Sequence, residues 1–258
     1  ATKVADAPYI DGGLQFGSSG VLFYTRYSQN ELGMIRPSSS TTDKVVPLTP
    51  LNVPSSVGSL AFVPAGFPGT GQLKVVSYNA DTFANLTLTP DSQGTFDVAA
   101  ARVGTQISGG PEGFFFVPPN SPGFQNFKNM VVCEYGSGAV TVYTLDAQGD
   151  PVPASRVLFM TGLSGAEGAA IDPVRGTFLF STYGGNNRVI AIRGFGTPCG
   201  TVAPYGQGLA GSGSFVPMLA AVGCFARNQK VDFQVNSGLG GAPVVLFAGL
   251  QQISLPAF

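Results

Sequence analysis

Apolar residues in this chain come in short runs with no helical period. Between residues 113 and 162 the runs GFFFVP, NMVVCEY, AVTVYTLD and RVLFMTG are separated by PPNSPG, GSG and AQGDP. Runs of this length, rich in Val, Phe and Tyr and bounded by Gly, Pro, Asn and Asp, predict β-strands. The quartet is not unique. Inner runs begin at Gly13 (GLQF), Ser59 (SLAF), Gly113 (GFFF) and Gly168 (GAAI), in steps of 46, 54 and 55 residues. A second marker ends the following run at Tyr27, Tyr78, Tyr135 and Tyr183, in steps of 51, 57 and 48. Two markers in phase four times predict four repeats. Four strands per repeat of about 40 to 55 residues is the pattern of a β-propeller blade. A β-sandwich with two similar hairpins is the alternative.

The fourth repeat has GAAIDP, TFLFSTY and RVIAIRGF but no outer strand before the composition changes. The outer run RVLFMTG starts 12 residues before Gly168, and Ala1 lies 12 residues before Gly13. The segment TKVADA is therefore expected to supply the outer strand of the last blade and close a four-bladed ring, which removes the exposed edges. The competing expectation is that these blades are a fragment of a larger propeller. Residues 197–258 lose both markers yet keep strand-like runs, PYGQGLAGSGSFVPMLAAVGC and VDFQVNSGLGGAPVVLFAGL. The expected organisation is all-β, a propeller over 1–196 and a small β-domain over 197–258 that either packs on the propeller or is truncated and completed by a missing continuation.

Composition sharpens this. The 36 glycines and 20 prolines suit turns, and a hydrophobic share of 44% supports a core. Only 10% of residues are charged, against a usual quarter or so, and the net charge is -1. Nothing there attracts nucleic acid. Histidine is absent, which excludes a Ser-His-Asp triad and histidine-ligated metals. No apolar run reaches the roughly 18 residues of a membrane span. A chain starting at Ala1 after removal of a signal peptide would read as this one does. Of the three cysteines, Cys133 sits in an apolar run and reads as a buried thiol, and Cys199 and Cys224 bracket a Gly/Ser-rich segment. Joined or not, that second pair is the candidate disulfide, suited to an oxidising compartment. Asn85-Leu86-Thr87 is a glycosylation sequon.

Candidate chemistry follows from blade geometry. Inner strands start on the face where second strands end. Glu112 and Glu167 therefore belong near the central channel, on adjacent blades. Gly12 and Gly58 hold the matching places in the other two blades, with Asp11 one residue earlier. Loops after the four tyrosines carry Asn30, Asn79, Asp81, Asn186 and Asn187 farther out. Converging carboxylates with amide oxygens can hold Ca2+, so Asp11, Glu112 and Glu167 are candidate metal ligands. The alternative is that each glutamate caps backbone amides of the neighbouring blade. Tyr27, Tyr78, Tyr135 and Tyr183, with Asn186 and Asn187, form a candidate ligand rim. Strict recurrence of the tyrosines equally suits packing between blades. Gly12-Gly13, Gly109-Gly110 and Gly184-Gly185 are turns without a phosphate-loop pattern, and SGAEG is no nucleophile elbow. Paired carboxylates alone are too little for glycosidase chemistry.

PEG and AEG opening an inner strand, followed by the run STYGGNNRV, resemble the NHL and SMP-30-like propeller superfamily. The longer run GLSGAEGAAIDPVRGTFLFSTYGGNNRVIAIRGF is similar to uncharacterised secreted bacterial propellers, many with PEP-CTERM sorting tails. The tail, YGQGLAGSGSFVP…GC…GLGGAP…LFAGL, resembles a small C-terminal β-domain of planctomycete-type secreted proteins. That domain often has cysteine where this chain has Leu209, and it runs on past a segment like SLPAF. SMP-30-like enzymes hold a divalent metal for lactone hydrolysis through a glutamate at such a strand start. Only that position carries over, to Glu112 or Glu167.

The expectation is a secreted, non-enzymatic binding or structural propeller of the bacterial cell surface or matrix, taking a surface glycan or protein. A calcium-dependent lactonase-like hydrolase is the second reading. The third is a subunit of an extracellular assembly, joined by self-association through the C-terminal domain.

Overall fold

The computed structural model describes residues 3–17, 19–119, 121–124, 128–195, 208–223, 225, 231–239 and 241–243. Four sheets follow one another along the chain, as the marker phase predicts. Blade 1 is β1 (Ile10–Phe16), β2 (Leu22–Arg26), β3 (Glu31–Ile35) and β4 (Lys44–Pro47). Blade 2 is β5 (Val57–Phe62), β6 (Leu73–Ser77), β7 (Thr82–Pro90) and β8 (Phe96–Gln106). Blade 3 is β9 (Pro111–Phe116), β10 (Asn129–Glu134), β11 (Ala139–Thr144) and β12 (Val157–Met160). Blade 4 is β13 (Ala166–Ile171), β14 (Phe178–Thr182) and β15 (Val189–Ile192). Each is an antiparallel meander in sequence order, the connectivity of a propeller blade.

The blades stack face to face, because their strands are apolar on both faces. Phe23, Leu32 and Met34 of blade 1 meet Leu60, Leu73 and Val75 of blade 2. Val76 and Phe83 of blade 2 meet Phe114, Met130 and Val132 of blade 3. Phe115, Val131 and Val140 of blade 3 meet Phe178 and Phe180 of blade 4, with Phe124, Phe159 and Phe195 adding an aromatic cluster. Two networks of buried polar groups are paired across or within blades. Lys74 on β6 reaches Asp150 at 2.5 Å and Asn85 at 2.7 Å, and Arg102 closes on the same carboxylate at 2.7 Å. Glu134 on β10 accepts from Thr141, Tyr143 and Arg156. Asn85 of the sequon is thus buried and occupied in this network, and the folded chain offers no glycan acceptor there.

The N-terminal segment departs from expectation. It does not extend the last blade, whose sheet has three strands among the described residues. Asp6 instead bridges Thr41 in parallel fashion on blade 1. Its N–H donates to the Ser40 carbonyl at 2.9 Å, its carbonyl accepts from Thr42 Oγ1, and Arg26 Nε donates to the Pro8 carbonyl. Thr42 and Arg26 thus hold the segment on blade 1.

Residues 1–198 and 199–258 form two compact units. In the second, β16 (Met218–Gly223) and β17 (Val231–Asn236) make an antiparallel hairpin, with Leu219 opposite Val235 and Ala221 opposite Phe233. Cys199 and Cys224 lie outside the described residues, and Cys133 is a buried free thiol. No helix of the described residues is long and apolar enough to cross a membrane.

Candidate functional site

All four inner strands carry a register irregularity at the same place. It falls between Ile10 and Leu14, Val57 and Ser59, Pro111 and Phe114, and Ala166 and Ala169. A bulge turns the local side chain off the alternating sheet faces. Here it aims the Asp11, Glu112 and Glu167 positions at the channel. In blade 1, Gly12 takes a left-handed φ of 66°, and Thr25 Oγ1 accepts from the Gly13 N–H at 3.0 Å while donating to the Asp11 carbonyl.

Gly58 explains how a glutamate fits there. A Cβ at residue 58 would collide with the Glu112 carboxyl, and one at Gly12 would collide with the Gly58 carbonyl. The matching glycines are therefore space for the neighbouring acid. Neither Glu112 nor Glu167 makes a side-chain hydrogen bond or ion pair among the described residues, so neither caps backbone amides as the alternative reading expected. Burial, then the charges of Glu167 and Asp11, push the Glu112 carboxyl up to about 9. Glu167 is raised by burial and by Asp11, and Asp11 is raised by burial against a lowering bond from Gly12. Glu112 is thus a neutral carboxylic acid at neutral pH, held so by burial and like charge.

The three acids line a cavity of about 250 Å³, walled by Tyr27, Tyr78, Tyr135 and Tyr183, with no basic side chain. The tyrosines form a ladder: Tyr27 to Tyr78 at 6.3 Å and Tyr78 to Tyr135 at 5.7 Å between ring centroids. They also pack between blades. A Cβ at Gly110 would stand 2.6 Å from Tyr78 Cε2, and one at Gly165 would stand 2.6 Å from Tyr135 Cε2. Tyr78 and Tyr135 thus pack against the following blade, and all four rings wall the cavity.

The loop amides do other work. Asn30 Nδ2 donates to Thr49 and to the Val53 carbonyl, and its Oδ1 is buried without a partner. Asn79 donates to Ser56, and Asp81 accepts from the Gly110 N–H, tying blade 2 to blade 3. Asn187 holds its own turn through the Gly184 N–H. Asn186 lines a separate cavity of about 200 Å³ with Ser164, Thr182 and Arg188. Neither Asn186 nor Asn187 lines the channel-mouth cavity. No group of three His, Cys, Asp or Glu side chains among the described residues is arranged to hold a metal ion. The three acids share a cavity, and the structure does not bring them into such a group.

No protein-family model and no curated protein matches the chain. Solved structures do. Hydrazine synthase of Kuenenia stuttgartiensis is 17% identical with a TM-score of 0.43, over 74% of this chain and 48% of that one. The chain thus spans about half the length of that protein. Virginiamycin B lyase of Staphylococcus aureus is 12% identical, TM-score 0.45, over 90% and 72%. A calcium-binding protein, regucalcin, of Agrobacterium tumefaciens is 16% identical, TM-score 0.42, over 71% and 72%. None is similar enough to bring an activity to this chain.

Proposed function

We propose that this chain is a non-enzymatic binding propeller whose channel mouth takes a positively charged group. An ammonium, as a lysine side chain or an amino sugar carries, has the matching chemistry. The observation that carries this reading is one cavity with four tyrosines, three acids and no basic residue. Tyrosine faces attract cations by about 0.5–2 kcal/mol each, and an incoming cation favours ionisation of Glu112 and Glu167. The ligand would be presented by a surface glycan or protein. The setting proposed is extracellular or cell-surface and bacterial, supported by the resemblance of the fourth blade and tail to secreted PEP-CTERM and planctomycete-type proteins. A calcium-dependent hydrolase is less well supported, because the acids lack a ligating arrangement.

The test uses tyrosine emission. The chain has no tryptophan and 8 tyrosines, so the 4 at the cavity dominate any change. Titration with n-butylammonium should alter emission saturably, and n-butanol of the same shape should not. Equal responses, or none to either, would overturn the reading.

A further inference from the structure

Every polar side chain lining the channel-mouth cavity ends in oxygen: three carboxyls and four phenols, with no amide, ammonium or guanidinium. Glu112 is the most buried of the three acids, at 5% exposed. Its carboxyl has no hydrogen-bond partner among the described residues. Two glycines frame it. Its Oε2 fills the side-chain space of Gly58 and would stand 3.5 Å from a Cβ at Gly12. The carboxyl thus reaches over the inner strands of blades 2 and 1 and takes a bond from neither. A buried oxygen without a donor is costly. A ligand that brings N–H groups removes that cost, and a ligand without them does not.

We infer that the channel mouth selects a primary ammonium over its trimethylated form, with Glu112 as the residue that reads the N–H groups. The selectivity rests on the cation reading of the same cavity and names the kind of cation it takes. A primary ammonium, as an unmodified lysine side chain carries, brings three N–H donors to a wall of acceptors. A trimethylated nitrogen has the same charge and no donor. It would lie against Glu112 and leave that carboxyl as bare as before. Room does not decide between them, because a cavity of about 250 Å³ takes either head group. Nor are the rings set as a cage. Tyr78 and Tyr135 meet edge to face, 5.7 Å apart between centroids and at 89°. That contact occupies a face that a cage around a methylated cation would use. A site acting by charge alone would rank the two cations the other way, since the primary ammonium is the more strongly hydrated and loses more on entry. Hydrogen bonding at Glu112 reverses that order.

The experiment follows tyrosine emission while the 258-residue chain is titrated with n-butylammonium and, separately, with n-butyltrimethylammonium. The expected result is binding of the primary ammonium about tenfold or more tighter, the worth of one or two charge-assisted hydrogen bonds. This ratio, measured on the wild type, tests the selectivity without any variant. Glu112→Met then keeps the length of the side chain and removes both oxygens. Both cations lose the attraction of that charge, but the preference between them should fall below about threefold. Circular dichroism checks that the variant is folded. Equal or tighter binding of n-butyltrimethylammonium by the wild type would overturn the selectivity and leave the cation reading in place. A saturable response to neither cation would overturn both. A preference that survives in folded Glu112→Met would overturn the assignment to Glu112.

Discussion

Replacing Glu112 by Gln removes one ionisable group and keeps its size and neutral hydrogen-bonding character. In the folded chain that carboxyl is raised to about 9 from an ordinary 4.5. Between those values the unfolded chain has released a proton that the folded chain still holds. Stability from this group is therefore complete below about 4.5 and is lost as pH rises towards 9. One proton gives a slope of about 1.4 kcal/mol per pH unit. Across about three pH units, from 5 to 8, the wild type should lose about 4 kcal/mol relative to Glu112→Gln. With a urea slope of at most about 3 kcal/mol per M, the midpoints should separate by more than about 1 M. Glu167 and Asp11 are shared by both proteins, so the difference isolates residue 112. The assay is urea unfolding followed by circular dichroism at pH 5, 6, 7 and 8. Parallel midpoints across that range would refute the reasoning, because they would mean Glu112 is ionised in the folded chain.

Other outcomes follow from the same packing. Gly58→Ala should cost about 1–3 kcal/mol by overpacking against Glu112, and the cost should fall to below about 1 kcal/mol in a Glu112→Ala background; a thermodynamic cycle on the four proteins checks this. Asp150→Ala should destabilise by about 3–5 kcal/mol, because it strands the buried Lys74 ammonium, whereas Lys74→Met with Asp150→Leu should recover most of it; denaturant midpoints decide. Tyr135→Ala, which unpacks Gly165 of the next blade, should cost at least about 1 kcal/mol more than Tyr183→Ala, which removes an exposed ring; equal losses would contradict inter-blade packing.

Much of the blade architecture was legible because two markers recur in phase and each strand is a short apolar run between turn residues. Glu112 and Glu167 were legible as channel residues because the inner-strand start fixes where a side chain can point. Their environment was not. Gly58 reads as another turn-like glycine until the Glu112 carboxyl is seen filling its side-chain space, and no periodicity announces a bulge. The N-terminal segment is misplaced by the spacing argument, because a spacing along the chain does not say which blade a segment bonds to. Arg26 and Thr42, which hold it to blade 1, are ordinary strand residues in the sequence. Asn186 and Asn187 lie beside a channel-lining tyrosine in sequence but turn away from it in the fold, towards a second cavity and their own loop.

The central claim is that a cation entering the tyrosine-walled cavity meets a neutral Glu112 and ionises it. Calorimetric titration of n-butylammonium at pH 7, in two buffers of different ionisation enthalpy, counts the protons released on binding. The account predicts about one proton per bound cation for the wild type and close to none for Glu112→Gln. Binding without proton release in the wild type, or release that survives in Glu112→Gln, would contradict it.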